Sequence, residues 1–153
     1  MKSLLGFILV GIILCGVMEA YCEEKYLCVA ELSTGFNYDR NEKKWEQADF
    51  RTDNKYIISK ADEVEEKLFD KKFVFKVAQL GDNDSTYFCK EGFDSVGNLS
   101  CTGAGQFNFN KKNGRYLFVY PNGYVNVLPG GRYFQTDEKS DTPFMEIGKC
   151  SPF

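Results

Sequence analysis

Residues 106–120 read QFNFNKKNGRYLFVY, and this stretch decides the fold class. Gln106 to Phe109 alternates polar and aromatic residues, and an apolar run returns from Arg115 to Tyr120. Alternation with a period of two is typical of a strand with one buried face. Asn113-Gly114 between the two runs is a dipeptide that tight hairpin turns prefer. The stretch therefore predicts an antiparallel hairpin.

Strand signals continue in both directions from this hairpin. Upstream, Tyr26 to Ala30 opens the series, Gly35 to Tyr38 resumes it, and Phe73 to Ala78 is apolar enough for a central strand. Downstream, Tyr124 to Val127 and Phe144 to Ile147 supply the last strands. About seven to nine short strands at this spacing predict a mainly β domain, an antiparallel barrel or sandwich.

One short helix is expected to accompany the strands, from about Lys60 to Lys71. Ser59 can cap it, with Asp62 three residues later as the partner of a capping box. Val64 and Leu68 would share one face of this helix.

The first 20 residues follow the pattern of a secretory signal peptide. Lys2 precedes an uncharged apolar run from Leu4 to Met18, which as a helix would be about 22 Å long, too short to span a bilayer. Cleavage after Ala20 would leave one domain, residues 21–153, in the periplasm or outside the cell, without a membrane span. An uncleaved anchor and a lipid attachment are the open alternatives.

Cysteine usage agrees with an oxidising compartment, where disulfides form and persist. Of the six cysteines, Cys15 lies in the predicted leader. The expected disulfides are Cys89–Cys101, between neighbouring strands, and Cys28–Cys150, between the two ends of the domain. Cys22 is then left over as a free thiol, a site of dimerisation or the true partner of Cys28.

The chain contains no histidine, which excludes Ser-His-Asp and Cys-His catalytic groups and zinc sites with histidine ligands. Phosphate-binding and dinucleotide-binding glycine motifs are also missing from the sequence. We therefore predict neither a cofactor nor a metal, and no catalytic residue. A hydrolase with two facing carboxylates is the enzymatic alternative. The net charge of −3 gives no attraction to nucleic acid.

Aromatic residues are the most unusual part of the composition, with 14 Phe, 9 Tyr and 1 Trp. Many must fill the core of a small domain, and we assign that role to phenylalanines of two predicted strands. These are Phe73, Phe75, Phe107 and Phe109.

The tyrosines from residue 116 onward suggest a binding surface instead, because tyrosine offers a large contact area and a polar tip. The predicted binding residues are Tyr116, Tyr120, Tyr124 and Tyr133. The expected partner is a protein or a glycan of the cell envelope. In the competing interpretation, these tyrosines form the edge of the core, with only their hydroxyls reaching solvent.

Residues 28–36, CVAELSTGF, and residues 142–150, TPFMEIGKC, resemble small exported proteins of Gram-negative bacteria for which no activity is established. In those proteins, one cysteine near the mature start and one near the end bracket an aromatic-rich middle. The resemblance implies a location in the bacterial envelope and assigns no site residues. Size and disulfide use are also similar to those of periplasmic lysozyme inhibitors of the small β-barrel type, whose inhibitory loop motif has no counterpart here.

Together these features predict an exported binding module, with lysozyme inhibition as one concrete version of its function. The alternatives are the hydrolase with paired carboxylates and a structural or stress-protective envelope protein without a discrete ligand. The sequence leaves the oligomeric state open.

Overall fold

A computed structural model describes residues 24–62, 67, 72–81, 86–121, 124 and 142–153. The predicted signal peptide, the strand predicted beyond Tyr124, and Tyr133 all lie outside these residues. The described residues form nine strands. They are β1 (Tyr26–Asp39), β2 (Lys44–Asp49), β3 (Lys55–Lys60), β4 (Phe75–Gln79), β5 (Thr86–Cys89), β6 (Asn98–Thr102), β7 (Gln106–Asn110), β8 (Arg115–Tyr120) and β9 (Phe144–Pro152).

Eight of the strands form a closed antiparallel barrel, which confirms the mainly β fold predicted from the sequence. From β3 to β9 each strand pairs with the next in the chain, and β1 closes the barrel by pairing with both β3 and β9. Closure leaves these strands without a free edge. The remaining strand, β2, pairs with the far half of β1, from Thr34 to Asp39, so the β1–β2 hairpin extends beyond the barrel wall.

The length of β1 makes both connections possible. Its first residues, Tyr26–Val29, pair with β3 on one side, and its last residues pair with β2 on that same side. Along the other side it pairs with β9, with a register shift between Ala30 and Leu32. A bulge of this kind bends a strand and changes which residues face inward. Beyond it, Ser33 and Gly35 occupy the inward positions opposite Glu146 and Phe144.

Alternation along each strand fills the barrel with aromatic rings. In β7 and β8, the inward residues Phe107, Phe109, Tyr116 and Phe118 are at most 3% exposed, whereas their neighbours face outward. The four phenylalanines predicted for the core, Phe73 included, are all buried. Large inward rings compensate for the short strands, because a small barrel has room for few side chains.

Both predicted disulfides are confirmed. Cys28–Cys150 joins β1 to β9, where the two cysteines are direct cross-strand partners. Cys89–Cys101 joins β5 to β6, a strand pair with only one registered partner pair, Phe88 and Thr102. The second disulfide therefore reinforces a weakly paired part of the barrel wall. Two disulfides are consistent with a location outside the cytoplasm.

The predicted helix from Lys60 to Lys71 is not confirmed. Lys60 is the last residue of β3, and the N–H of Ala61 donates to the carbonyl of Val74, so the chain is still extended where the helix should begin. Most of the remaining predicted helix lies outside the described residues. No helix in the described part of the chain is long and apolar enough to cross a membrane.

Candidate binding face

The outer surface of three neighbouring strands, β1, β9 and β8, carries large apolar side chains in register. Leu32 lies opposite Ile147, and Ile147 lies opposite Leu117 on its other side. These three side chains are 66%, 43% and 38% exposed. Along a strand with one face in water, inward apolar residues normally alternate with outward polar residues. A registered row of exposed aliphatic residues therefore indicates a contact surface.

The next row along the strands extends this surface. Thr34 lies opposite Met145, and Met145 lies opposite Val119. Met145 is 49% exposed, and Val119 is half-buried. Methionine adapts to partners of different shape because its side chain is unbranched and polarisable.

The protruding β1–β2 hairpin continues the surface with aromatic rings. Phe36 and Tyr38 lie on the same side of β1 as Thr34, and Trp45 is the cross-strand partner of Tyr38. The ring of Trp45 contacts Tyr38 edge-on at 5.5 Å and Tyr124 edge-on at 5.4 Å between centroids. Such edge-to-face pairs fix the ring orientations. Phe36 is 54% and Tyr124 62% exposed, so the rings are ordered but accessible.

We refer to this continuous surface as the apolar face. It consists of Leu32, Phe36, Tyr38, Trp45, Leu117, Val119, Tyr124, Met145 and Ile147.

A groove of about 330 Å³ crosses the apolar face where the hairpin leaves the barrel. One wall is Phe36 of β1, and the other is Tyr120 at the end of β8, followed by Pro121. The polar side-chain groups among its lining residues are those of Thr34 and Gln47 and the hydroxyl of Tyr120. The volume lies at the lower end of the range for ligand pockets, and the lining is suited to apolar groups.

Phe144 forms the floor of this groove and at the same time closes one end of the barrel core. The centroid of its ring lies 5.5 Å from the ring centroids of Phe118 and Tyr120, and 6.0 Å from that of Phe50. Its cross-strand partner is Gly35, where a Cβ atom would overlap the chain at Pro143 and Phe144. The glycine therefore lets β1 and β9 approach closely beneath the ring, and core packing holds the groove in shape.

Among the described residues, Glu146 on β9 is the one carboxylate that is fully buried, and it lies in the barrel interior. Tyr116 donates a hydrogen bond to its Oε1 at 2.9 Å, and Asn54 Nδ2 donates to its Oε2 at 2.7 Å. Gln79 Nε2 donates in turn to Asn54 Oδ1 at 3.1 Å. Both oxygens of the buried charge thus have donors, as an ion in a low-dielectric interior requires.

The buried charge changes the chemistry of two tyrosines. Burial, and then the negative charge of Glu146, raise the pKa of Tyr116 and of Tyr56 well above the usual value for tyrosine. Both phenols stay protonated in the folded protein and act only as donors toward the carboxylate. We assign this cluster a structural role, because Glu146 has no exposed surface at which a substrate could be bound.

The structure separates the four tyrosines predicted as binding residues. Tyr120 lines the groove and Tyr124 packs on Trp45, so both lie at the apolar face. Tyr133 lies outside the described residues. The expected surface position is wrong for Tyr116, which points into the barrel and is 3% exposed. The reason is strand parity, since Tyr116 shares its inward side of β8 with Phe118.

Sequence reasoning missed several residues of the apolar face, including Phe36, Trp45 and Met145. A signal for Met145 and Ile147 was available. Cys150 must face inward to reach Cys28, and with a period of two the odd-numbered residues of β9 then face outward. No equivalent signal identified Phe36. Cys28 faces inward, so strict alternation would place the even-numbered Phe36 inward as well, but the bulge in β1 reverses the alternation beyond Ala30.

Within the described ranges, no group of three or more Cys, Asp or Glu side chains is placed to hold a metal ion. Comparison of the chain with family models, with curated proteins and with solved structures finds no match.

Proposed function

We propose that this protein is an exported binding module that docks a protein partner on its apolar face. The observation that carries the proposal is the registered exposure of Leu32, Ile147 and Leu117 outside a closed barrel, continuous with an aromatic groove. The barrel core does not include these side chains, because the barrel strands fill it with other, inward-facing apolar side chains. Their burial is therefore available to stabilise a complex.

The chemistry of the groove favours a protein over a glycan. A glycan presents hydroxyl groups that need many hydrogen-bonding partners, and most of the residues that line the groove are apolar, with polar side-chain groups from Thr34, Gln47 and Tyr120. Aromatic rings and methionine are instead enriched at the cores of protein interfaces. Trp45, whose ring packs against Tyr38 and Tyr124, would serve as an anchor residue of such an interface together with Phe36 in the groove.

Export is part of the proposal and rests on three observations. The first 20 residues have the composition of a signal peptide, both domain disulfides form, and the resemblance to exported bacterial proteins points to the periplasm or the cell surface. A lysozyme-inhibitor-like role is one concrete version, in which the apolar face would bind the enzyme.

Site-specific photo-crosslinking tests the proposal. A benzophenone amino acid replaces Phe36 in the full chain, which is expressed and exported in a Gram-negative host, and adducts are identified by mass spectrometry after irradiation. We expect one predominant protein adduct from the envelope, and its loss when Trp45→Ala or Met145→Glu is added. A matched control places the benzophenone at Lys90, an exposed position just beyond β5.

The same experiment can refute the proposal. If the only adduct joins two copies of the chain, the apolar face mediates self-association and not the binding of a partner. Adducts that persist with Trp45→Ala and Met145→Glu would show that the contact is non-specific. Absence of any protein adduct would remove the docking role. Direct assay of the purified domain against lysozymes tests the inhibitor version separately.

A further inference from the structure

A second groove, of about 460 Å³, lies on the outer surface of β6, β7 and β8. It shares Leu117 with the apolar face, but amide side chains and an arginine also line it. Its side chains come from Asn98, Ser100, Asn108, Asn113, Arg115 and Leu117. Strand pairing sets them in rows, with Ser100 opposite Asn108 and Asn108 opposite Leu117.

In this groove, the side-chain oxygens of Asn108 and Asn113 already accept hydrogen bonds from neighbouring residues, so their amide N–H groups are the ones directed to a ligand. Oδ1 of Asn108 accepts from Ser100 Oγ at 3.1 Å and from Gln106 Nε2 at 3.5 Å. These two bonds orient the amide, and its Nδ2 group makes no hydrogen bond within the described residues. Oδ1 of Asn113 likewise accepts from the backbone N–H of Arg115 at 2.9 Å, and the Asn113 Nδ2 group donates to no residue in the part of the chain that the structure describes.

Arg115 adds a positive charge to these donors. Its guanidinium group is exposed and has no acidic partner among the described residues. The neighbouring cations are occupied, since Lys149 pairs with Glu31 at 2.9 Å and Lys111 with Glu24 at 3.0 Å. A guanidinium group beside two amide donors matches an oxyanion, because arginine binds carboxylates through parallel N–H···O bonds.

We propose that this groove binds a saccharide that carries carboxylate groups. The carboxylate would accept hydrogen bonds from Arg115 and Asn113, and sugar hydroxyls would pair with Asn108 and Ser100. The exposed side of Leu117 would pack against the C–H face of a sugar ring. The site borders the apolar face at Leu117, but its amide and guanidinium groups lie outside that face, and the proposal does not rest on the docking role.

An acidic peptide fits this groove less well. Peptides that bind along a sheet add to a free edge and pair their main chain with it. Here β7 is already paired on both sides, with β6 and with β8, so the groove offers a peptide backbone no partners from β7. With a net charge of −3, the protein also provides no long-range attraction for polyanions in general, so binding depends on local contacts.

The test is titration of the disulfide-intact domain with tetragalacturonate, followed by two-dimensional NMR of backbone and side-chain N–H groups. We expect saturable shifts of the Asn108 and Asn113 side-chain amides and of Arg115. Maltotetraose, which is neutral, and tetraglutamate, which carries similar charge on a peptide, should each bind at least tenfold more weakly.

Two variants and one control locate the site. Arg115→Met should weaken tetragalacturonate binding at least tenfold, because it removes charge-assisted hydrogen bonds. Asn108→Asp should have a similar effect, since it keeps the acceptor for Ser100 and Gln106 but replaces the free donor by a negative oxygen. Lys149→Met, in the same row one strand away, should change binding less than threefold. Trp45→Ala should leave it unchanged, which separates this site from the apolar face.

Several outcomes would overturn the assignment. They are no saturation at millimolar tetragalacturonate, shifts confined to residues outside the groove, and equal loss with Lys149→Met and Arg115→Met. Equal affinity for tetraglutamate would reassign the groove to acidic peptides. Both variants change half-buried or exposed side chains, and an unchanged thermal unfolding midpoint would show that the fold is retained.

Discussion

The phenolic oxygen of Tyr116 lies 2.9 Å from Oε1 of Glu146, and the two residues face each other inside the barrel from strands β8 and β9. Gly148 makes room for this contact, since a Cβ atom there would lie 2.6 Å from Cε1 of the Tyr116 ring. A buried carboxylate is costly unless it is fully hydrogen-bonded. The charge of Glu146 and the lack of a side chain at Gly148, both on β9, therefore determine the position of the Tyr116 ring.

Tyr116→Phe should lower the free energy of unfolding by about 2 kcal/mol at pH 7, since it removes a hydrogen bond to a buried charged group. Urea unfolding followed by fluorescence measures this change. Tyr124→Phe is the matched control, because Tyr124 is largely exposed and the ring is kept. Equal effects of the two substitutions would show that the hydroxyl of Tyr116 is not needed to stabilise Glu146.

Stability should fall as the pH rises above about 10, the ordinary pKa of tyrosine. Burial, then hydrogen bonding to Glu24 and its charge, raise the pKa of Tyr26 to about 12, and the pKa values of Tyr56 and Tyr116 are raised further. The folded state holds these phenolic protons more tightly than the unfolded state. The stabilisation is therefore complete below pH 10 and is lost as the pH rises through the folded pKa values.

Unfolding free energies at pH 8, 10 and 11, with tyrosinate absorbance at 295 nm, check this dependence. The buried tyrosines Tyr56 and Tyr116 should titrate only with global unfolding. Tyr56→Phe should reduce the slope above pH 10. An unchanged free energy of unfolding between pH 8 and 11 would contradict the prediction.

Most of the strands could be predicted because their signals are local. Alternating aromatics in β7, the Asn113-Gly114 turn and the apolar run of β4 each lie within a few residues of sequence. The turn joins β7 to β8 as expected, and Gly114 has a φ of 68°, a conformation that glycine adopts at low cost. The disulfide Cys89–Cys101 was predicted between neighbouring strands, and Cys28–Cys150 between the two ends of the domain.

What could not be predicted depends on contacts between distant strands. The bounds of β6 were not predicted, because Leu99 and Cys101 alternate with Asn98, Ser100 and Thr102 and are flanked by glycines, a composition typical of a loop. The bulge at Ala30 and Leu32 cannot be read from local alternation, yet it decides which side of β1 carries Phe36. The buried role of Glu146 was missed because an acidic residue in a strand is normally read as exposed.

Loss of the disulfide between Cys28 and Cys150 should cost more stability than loss of the other. The two cysteines are 122 residues apart, against 12 for Cys89 and Cys101. In the chain-entropy model, these separations correspond to about 5 and about 3 kcal/mol. Paired Cys→Ala variants, compared by urea unfolding, measure the difference. A larger effect at Cys89–Cys101 would show that closure between β5 and β6 depends on the covalent link more than on chain entropy.

Gly148→Ala should destabilise the barrel by about 1–3 kcal/mol or more, as overpacking of a core does. The added methyl group would overlap the carbonyl oxygen of Val29 as well as the ring of Tyr116. Gly92→Ala is the control, because its Cβ would be 3.6 Å from the nearest atom, a side-chain carbon of Val74. Equal thermal midpoints for the two variants would show that β1 and β9 can separate without cost.

The last prediction separates the apolar face from the core. Phe36→Thr and Ile147→Thr should each change the free energy of unfolding by less than about 0.5 kcal/mol, because these side chains are largely exposed and threonine suits a strand. Phe118→Ala should cost about 3–5 kcal/mol, since it opens a cavity in the barrel interior. The two threonine variants should also remain monodisperse at higher protein concentration, which light scattering measures. If either of them destabilises the domain as strongly as Phe118→Ala, the exposed row is part of the folding core, and its exposure no longer supports a docking surface.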